Sequence, residues 1–141
     1  MSKKSPDLKV ATITQKVTIP GKPKEVYLAY VDTKKAAEFT GQAATGAPKV
    51  GGKMTHGDGY ITGKYLELVE GEKIVQEWTT TEWPSGYPPS ILELTFKPKG
   101  KETELTMVHS KVPASQSKMY SEGWMTYYWE PLKKYFQTKK S

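Results

Sequence analysis

The feature that most constrains this chain is a change of hydrophobic period at Pro113. Through most of Ala11–Val112, apolar residues alternate with polar ones in short runs. Beyond Pro113, Tyr120, Trp124, Tyr127, Tyr128, Leu132 and Tyr135 fall at i, i+4, i+7, i+8, i+12 and i+15. A period of two belongs to half-buried strands, and a period near 3.6 to one face of a helix. Strands followed by one long helix bury both apolar faces by laying the helix on the sheet.

The first run, Ala11–Ile19, sets Ile13, Gln15, Val17 and Ile19 on one face and Thr12, Thr14, Lys16 and Thr18 on the other; Pro20-Gly21 ends it. Pro23 opens a helix through Val31, with Val26, Tyr27 and Tyr30 at helical spacing. Asp32 or Thr33 can cap a second short helix through Phe39, which Gly41 stops. Strands are then predicted over Tyr60–Val69, Lys73–Trp83, Ile91–Lys97 and Thr103–Val112. The punctuation is Gly51-Gly52, Gly57-Asp58-Gly59, Glu70-Gly71 and Pro98-Lys-Gly100, and such short connections make neighbouring strands antiparallel. Trp83-Pro-Ser-Gly-Tyr-Pro-Pro89 is a longer loop stiffened by its prolines. Ser115 or Ser117 is the expected cap of the last helix, and Met125, Trp129 and Phe136 form a second apolar stripe on it. Pro131 removes one hydrogen bond from that helix and predicts a kink. The fold class is α+β: a curved antiparallel β-sheet wrapped around a long C-terminal α-helix, with two short helices after the first strand. A bent sheet closes imperfectly on a helix, so a cavity between the layers is expected.

This framework resembles the START-like, or SRPBCC, superfamily and its helix-grip fold. Within it, the chain is similar to the group related to the C-terminal domain of the activator of the heat-shock-protein-90 ATPase. The similarity runs from about Thr12 to Phe136. It is carried by Ile19-Pro-Gly-Lys-Pro23 with Val26-Tyr27, Val50-Gly-Gly52, Asp58-Gly59, Ile61-Thr-Gly63 and Ile74 to Trp78. Leu105-Thr-Met-Val-His109 and Glu122-Gly-Trp124, leading into Tyr127 and Leu132, complete it. Pro131 departs from the pattern. The resemblance implies a single START-like helix-grip domain over residues 11–138, after a flexible basic lead at 1–10. The superfamily includes lipid and hormone carriers, cyclases and chaperone partners, so it leaves function open.

The charge pattern narrows the partners. All 21 cations are lysines, against 15 acids. Six of them (Lys3, Lys4, Lys133, Lys134, Lys139 and Lys140) stand at the ends, which leaves the body at 15 against 15. Without arginine and without a basic patch, nucleic acid is excluded as a partner. The terminal lysines are too few for firm membrane binding, and those ending the last helix suit its negative end. A chain of 141 residues with no cysteine is expected to be one domain, free of disulfides and thiolate chemistry. No run approaches the ~20 apolar residues of a membrane span, and the polar start lacks an apolar leader, so a cytoplasmic location is expected.

Catalytic signals are sparse. His56 and His109 are the only histidines, and their spacing makes no metal site. His56 falls in the turn-rich Met54-Thr-His-Gly-Asp58 and is expected to be exposed, whereas His109 shares parity with Leu105 and Met107 and should face inward. Of the strand carboxylates, Glu93 points to solvent by parity, Glu77 gives the inner face to Trp78, and Glu82 lies near the strand end. No nucleophile elbow or phosphate loop occurs. No catalytic residue, metal or cofactor is therefore nominated.

The aromatic residues carry the functional signal, with 4 Trp and 9 Tyr in the chain. Most fill a core, and some are expected to line the cavity and present its few polar contacts. The nominated wall is Tyr65, Trp78, Met107, His109, Trp124 and Tyr128, with Trp83 and Tyr87 at the entrance. The function read from this is non-enzymatic binding of a small, mainly hydrophobic or aromatic ligand, by a monomer or homodimer. One alternative is a partner of a heat-shock-protein-90-type chaperone, acting through its surface. Another is a cyclase- or hydrolase-like enzyme using the same cavity.

Overall fold

Alternating β-branched residues carry the chain into its first strand, β1 (Val10–Ile19), where Ile13, Val17 and Ile19 are buried. The computed structural model describes residues 9–139, so the basic lead at 1–10 lies almost wholly outside the described residues. Helix α1 (Pro23–Val31) starts on its proline and buries Val26, Tyr27, Ala29, Tyr30 and Val31. Asp32 accepts from the N–H groups of Lys34 and Lys35 and so caps α2 (Thr33–Thr40). Gly41 ends that helix in the left-handed conformation, φ 78°.

Two strands then appear that the sequence reading did not separate from the surrounding turns, β2 (Thr45–Gly46) and β3 (Lys53–His56). They are followed by β4 (Ile61–Val69), β5 (Lys73–Thr80), β6 (Ser90–Lys99) and β7 (Glu102–Pro113). All pair antiparallel in one seven-stranded sheet of order β1-β7-β6-β5-β4-β3-β2. β5 stops at Thr80, three residues before the expected end, so Trp83 belongs to the loop.

The inner face of the sheet is set by register. Ile74, Gln76, Trp78 and Thr80 point inward from β5, and Leu92, Leu94 and Phe96 from β6. Trp78 is paired with Gly63 on one side and Ser90 on the other. Two small neighbours leave room for the indole to stand on this face.

The C-terminal segment begins with a tight turn at Ala114–Gln116 and a helix α3 (Ser117–Gly123). The expected serine cap is absent: Gln116 holds the N-cap position without a side-chain hydrogen bond. Trp124–Trp129 forms a π-helical turn, closed by the Glu130 N–H on the Met125 carbonyl, before α4 (Glu130–Lys139). The irregularity attributed to Pro131 thus takes the form of a widened turn just before it. A proline ring collides with the carbonyl four residues back in a regular helix and offers no N–H, and widening the turn relieves both problems.

The extra residue shifts the phase of everything after it. The buried set is Tyr120, Trp124, Tyr128, Trp129, Leu132 and Phe136. Tyr127, expected on the inner face, is 68% exposed.

Candidate functional site

Where α3 and the π-turn cross the sheet beyond the end of α2, they leave a groove of about 630 Å³. Its floor and walls are aromatic: Trp78 from β5, Tyr60 from the β3–β4 turn, and Tyr120, Trp124, Tyr127 and Tyr128 from the C-terminal helix. Gly41, Gly57 and Gly123 also lie on its lining, and Glu82 is the single formally charged residue there. The Tyr60 hydroxyl donates to Glu82 Oε1 at 3.0 Å. Partial burial and the neighbouring carboxylate push that phenol up to about 12. The Tyr120 hydroxyl lies 2.6 Å from Thr80 Oγ1 and donates to Gln116 Oε1 at 2.8 Å.

Behind the groove stands a second layer of polar groups with their bonds already made. The Trp124 indole N–H donates to His109 Nδ1 at 3.1 Å. An indole nitrogen only donates, so Nδ1 is the acceptor and the proton of the neutral ring sits on Nε2. That proton goes to Ser90 Oγ at 2.8 Å, and the serine hydroxyl donates to the Trp78 carbonyl at 2.7 Å. Burial pulls the His109 pKa down to about 3. Both ring nitrogens are spent inside the protein, which leaves none to serve a substrate.

His56 corrects the sequence reading. It closes β3 with the inward parity of Met54 and is 2% exposed rather than open to solvent. Its Nδ1 lies 2.8 Å from the Tyr128 hydroxyl, the two rings stack at 5.9 Å, and Tyr30 meets it edge-on at 5.1 Å. Burial lowers its pKa to about 4 and raises that of the Tyr128 phenol. Tyr30 in turn donates to Gln76 Oε1 at 2.8 Å, a second buried pair.

Of the nominated wall residues, Trp78, Trp124 and Tyr128 line the groove. Tyr65, Met107 and His109 are buried in the packed core beneath it. Of the nominated entrance residues, Trp83 packs behind the groove wall, stacked on Tyr120 at 6.0 Å and edge-on to Trp78 at 6.1 Å. Tyr87 ties its loop to the chain start through the Lys9 carbonyl at 3.2 Å. Sequence reasoning missed Tyr60, Tyr120, Tyr127 and Glu82 as lining residues, although the three tyrosines belong to the same aromatic excess. A second depression, about 780 Å³, lies between α1 and the end of α4, bordered by Lys22, Lys35 and Lys101. Among the described residues, no group of three or more His, Asp or Glu side chains could hold a metal ion. No helix there is long and apolar enough to cross a membrane.

A curved antiparallel sheet closed on a C-terminal helix, with a lateral groove between them, defines a protein of the START-like helix-grip class. Residues 21–137 match the Activator of Hsp90 ATPase homolog 1-like protein family, and the chain belongs to that family. Among curated relatives, the activator of 90 kDa heat shock protein ATPase homolog 1 of Homo sapiens is 36% identical over 124 residues. That alignment takes in 88% of this chain and 36% of the relative, so the chain spans about a third of its length. Among solved structures, an HSP90 activator from Plasmodium falciparum superposes with a TM-score of 0.72 at 24% identity. It covers 82% of this chain and 87% of that one. The Aha1 dimer from Colwellia psychrerythraea gives 0.70 at 12% identity, over 83% and 90% of the two chains. At such identities the two structures support the fold alone.

Proposed function

We propose that this domain is a non-enzymatic binding protein that holds a small, mainly hydrophobic or aromatic molecule in the groove between sheet and C-terminal helix. The observation that carries this is the 630 Å³ groove, six of whose lining residues are aromatic. Its size falls within the ~300–1,000 Å³ of small-molecule sites, and its few polar groups are the usual means of fixing a ligand's orientation. The bonding of His109 speaks against acid–base chemistry in the same space, since neither ring nitrogen is free.

Gly123 supplies a direct test. A Cβ at this position would meet only the Tyr127 ring, at 3.8 Å, so Gly123→Leu adds bulk at the groove wall with no clash at Cβ. Titration with the neutral dye Nile red and a panel of uncharged aromatic compounds should give saturable one-to-one binding to the native protein. Binding should be lost in Gly123→Leu while the melting temperature holds or rises, because a helical glycine has been removed. A native protein that binds nothing, or a variant that binds undiminished, would overturn the reading.

A second reading rests on the relatives, which are named as activators of the 90 kDa heat shock protein ATPase. On it, the domain meets a chaperone of that type through its surface. Stimulation of such an ATPase from the same organism, unaffected by Gly123→Leu, would support it. A flat titration at micromolar protein would dispose of it.

A further inference from the structure

The lining of the groove carries one charge and no counter-charge. Although the chain has 21 lysines, none borders the groove. Among the described residues, no ion pair includes Glu82. Its Oε1 accepts from the Tyr60 hydroxyl at 3.0 Å. Burial raises the Tyr120 phenol above its ordinary value, and the Glu82 charge adds to that rise. The carboxylate thus stands close to two of the aromatic residues that line the groove.

Most other polar groups there already have partners inside the protein. The Tyr128 hydroxyl pairs with His56, the Trp124 indole with His109, and the Tyr120 hydroxyl with Thr80 and Gln116. The Thr40 hydroxyl donates to the Ala36 carbonyl at 2.7 Å. The Trp78 indole nitrogen is buried out of a ligand's reach. The Gln42 amide and the Tyr127 hydroxyl can bond a ligand, but both are neutral. Glu82 alone therefore sets the sign of the charge that this site favours.

A carboxylate on a wall of six aromatic residues suits one class of ligand. The face of an aromatic ring is the negative side of its quadrupole and attracts a positive charge, which is how aromatic sites hold ammonium groups. A calcium ion would take several oxygen ligands, and the lining offers a single carboxylate. A carboxylate or phosphate would meet Glu82 with no cation to offset it. We infer that the groove takes an organic cation, an ammonium group on an apolar or aromatic body, with the charge beside Glu82, Tyr60 and Tyr120 and the body over Trp78 and Trp124. This deepens the small-molecule reading above and rests on it. Uncharged compounds use the apolar contacts alone, and the positive charge adds to them.

Para-(trimethylammonio)benzyl alcohol and para-tert-butylbenzyl alcohol test the assignment, because they share a shape and differ by one positive charge. Their affinities are measured by calorimetry at low salt for the native protein and for Glu82→Gln. The cation should bind the native protein about tenfold more tightly than its neutral counterpart, from the rings and an exposed carboxylate together. In Glu82→Gln, which keeps an acceptor for Tyr60, that preference should fall about threefold while the neutral alcohol binds as before. In proton spectra of the native protein, the N-methyl signal should show Overhauser contacts to the Tyr60 and Tyr120 rings. This measurement stands even if the variant fails to fold. Equal or tighter binding of the neutral alcohol, a preference undiminished in Glu82→Gln, or N-methyl contacts that miss both rings overturn the cation assignment and leave the groove reading intact. Failure of both compounds to bind the native protein at millimolar concentration overturns both.

Discussion

His56 and His109 are both buried neutral, and each would have to break a bond or bury a charge to take up a proton. Their pKa values are lowered from 6.5 to about 4 and about 3. The sign of the consequence is fixed. Between pH 6.5 and those values the unfolded chain binds protons that the folded protein refuses, so stability rises with pH and is lost as pH falls below 6.5. The full benefit is present above pH 6.5, and the loss continues down to the folded-state values. Going from pH 7 to pH 5, the two rings together should cost roughly 4 kcal/mol, at ~1.4 kcal/mol per unit of pH for each. Urea titrations at the two pH values measure this directly. The His56→Gln, His109→Gln double variant should flatten the profile even though it starts less stable; an equally steep profile would assign the effect to other groups. The inward aim of His109 was legible from its parity with Leu105 and Met107. Its bond to Trp124 was not, because that partner comes from the helix and is brought there only by the fold.

The π-turn shows what a period can and cannot reveal. A 3.6-residue repeat carried across Pro131 places Tyr127 inside and leaves Trp129 on a second stripe, whereas the widened turn buries Trp129 at 1% exposure and turns Tyr127 out. Proline announced the irregularity, but the preceding turn absorbs it, and no local propensity marks how. The difference is measurable: Trp129→Ala should cost about 3–5 kcal/mol, as for a buried aromatic, and Tyr127→Ala no more than about 0.5 kcal/mol. A regular helix would give Tyr127 a core-sized penalty. Strand β3 escaped for a different reason. Lys53–His56 is four residues long between glycines, too short for alternation to stand out, and its Met54 and His56 point inward only because β4 pairs with it. Gly63, read first as part of a family motif, has a local role at this junction. A Cβ there would run into the Glu77 carbonyl oxygen and lie 2.8 Å from Gln76 Nε2. Gly63→Ala should therefore destabilise the fold by about 1–3 kcal/mol, as overpacking does, and should disturb the neighbouring Tyr30–Gln76 pair. Chemical denaturation, with the tyrosine signals followed by NMR, would register both effects.

For the molecule as a whole, family membership and the groove point in different directions, one toward a protein surface and the other toward a small ligand. Thermal stability separates them. A molecule that binds only the folded state at one hundred times its dissociation constant adds about 2.7 kcal/mol. For a domain of this size that corresponds to a rise of roughly 8 °C in melting temperature. On the groove reading, an uncharged aromatic compound should produce such a concentration-dependent rise in the native protein and none in Gly123→Leu, whose own melting temperature holds or rises. On the surface reading, neither protein responds to such compounds, and both stimulate the chaperone ATPase equally. The two outcomes are independent, since the groove occupies one flank of the helix and leaves the outer face of the sheet and the lysine-bordered depression at α4 free. A ligand-dependent rise together with ATPase stimulation that Gly123→Leu abolishes would join the two readings, with the groove's occupant controlling the partner. A rise that survives in Gly123→Leu would move the ligand out of this groove, and the depression ringed by Lys22, Lys35 and Lys101 would be the next place to test by substitution.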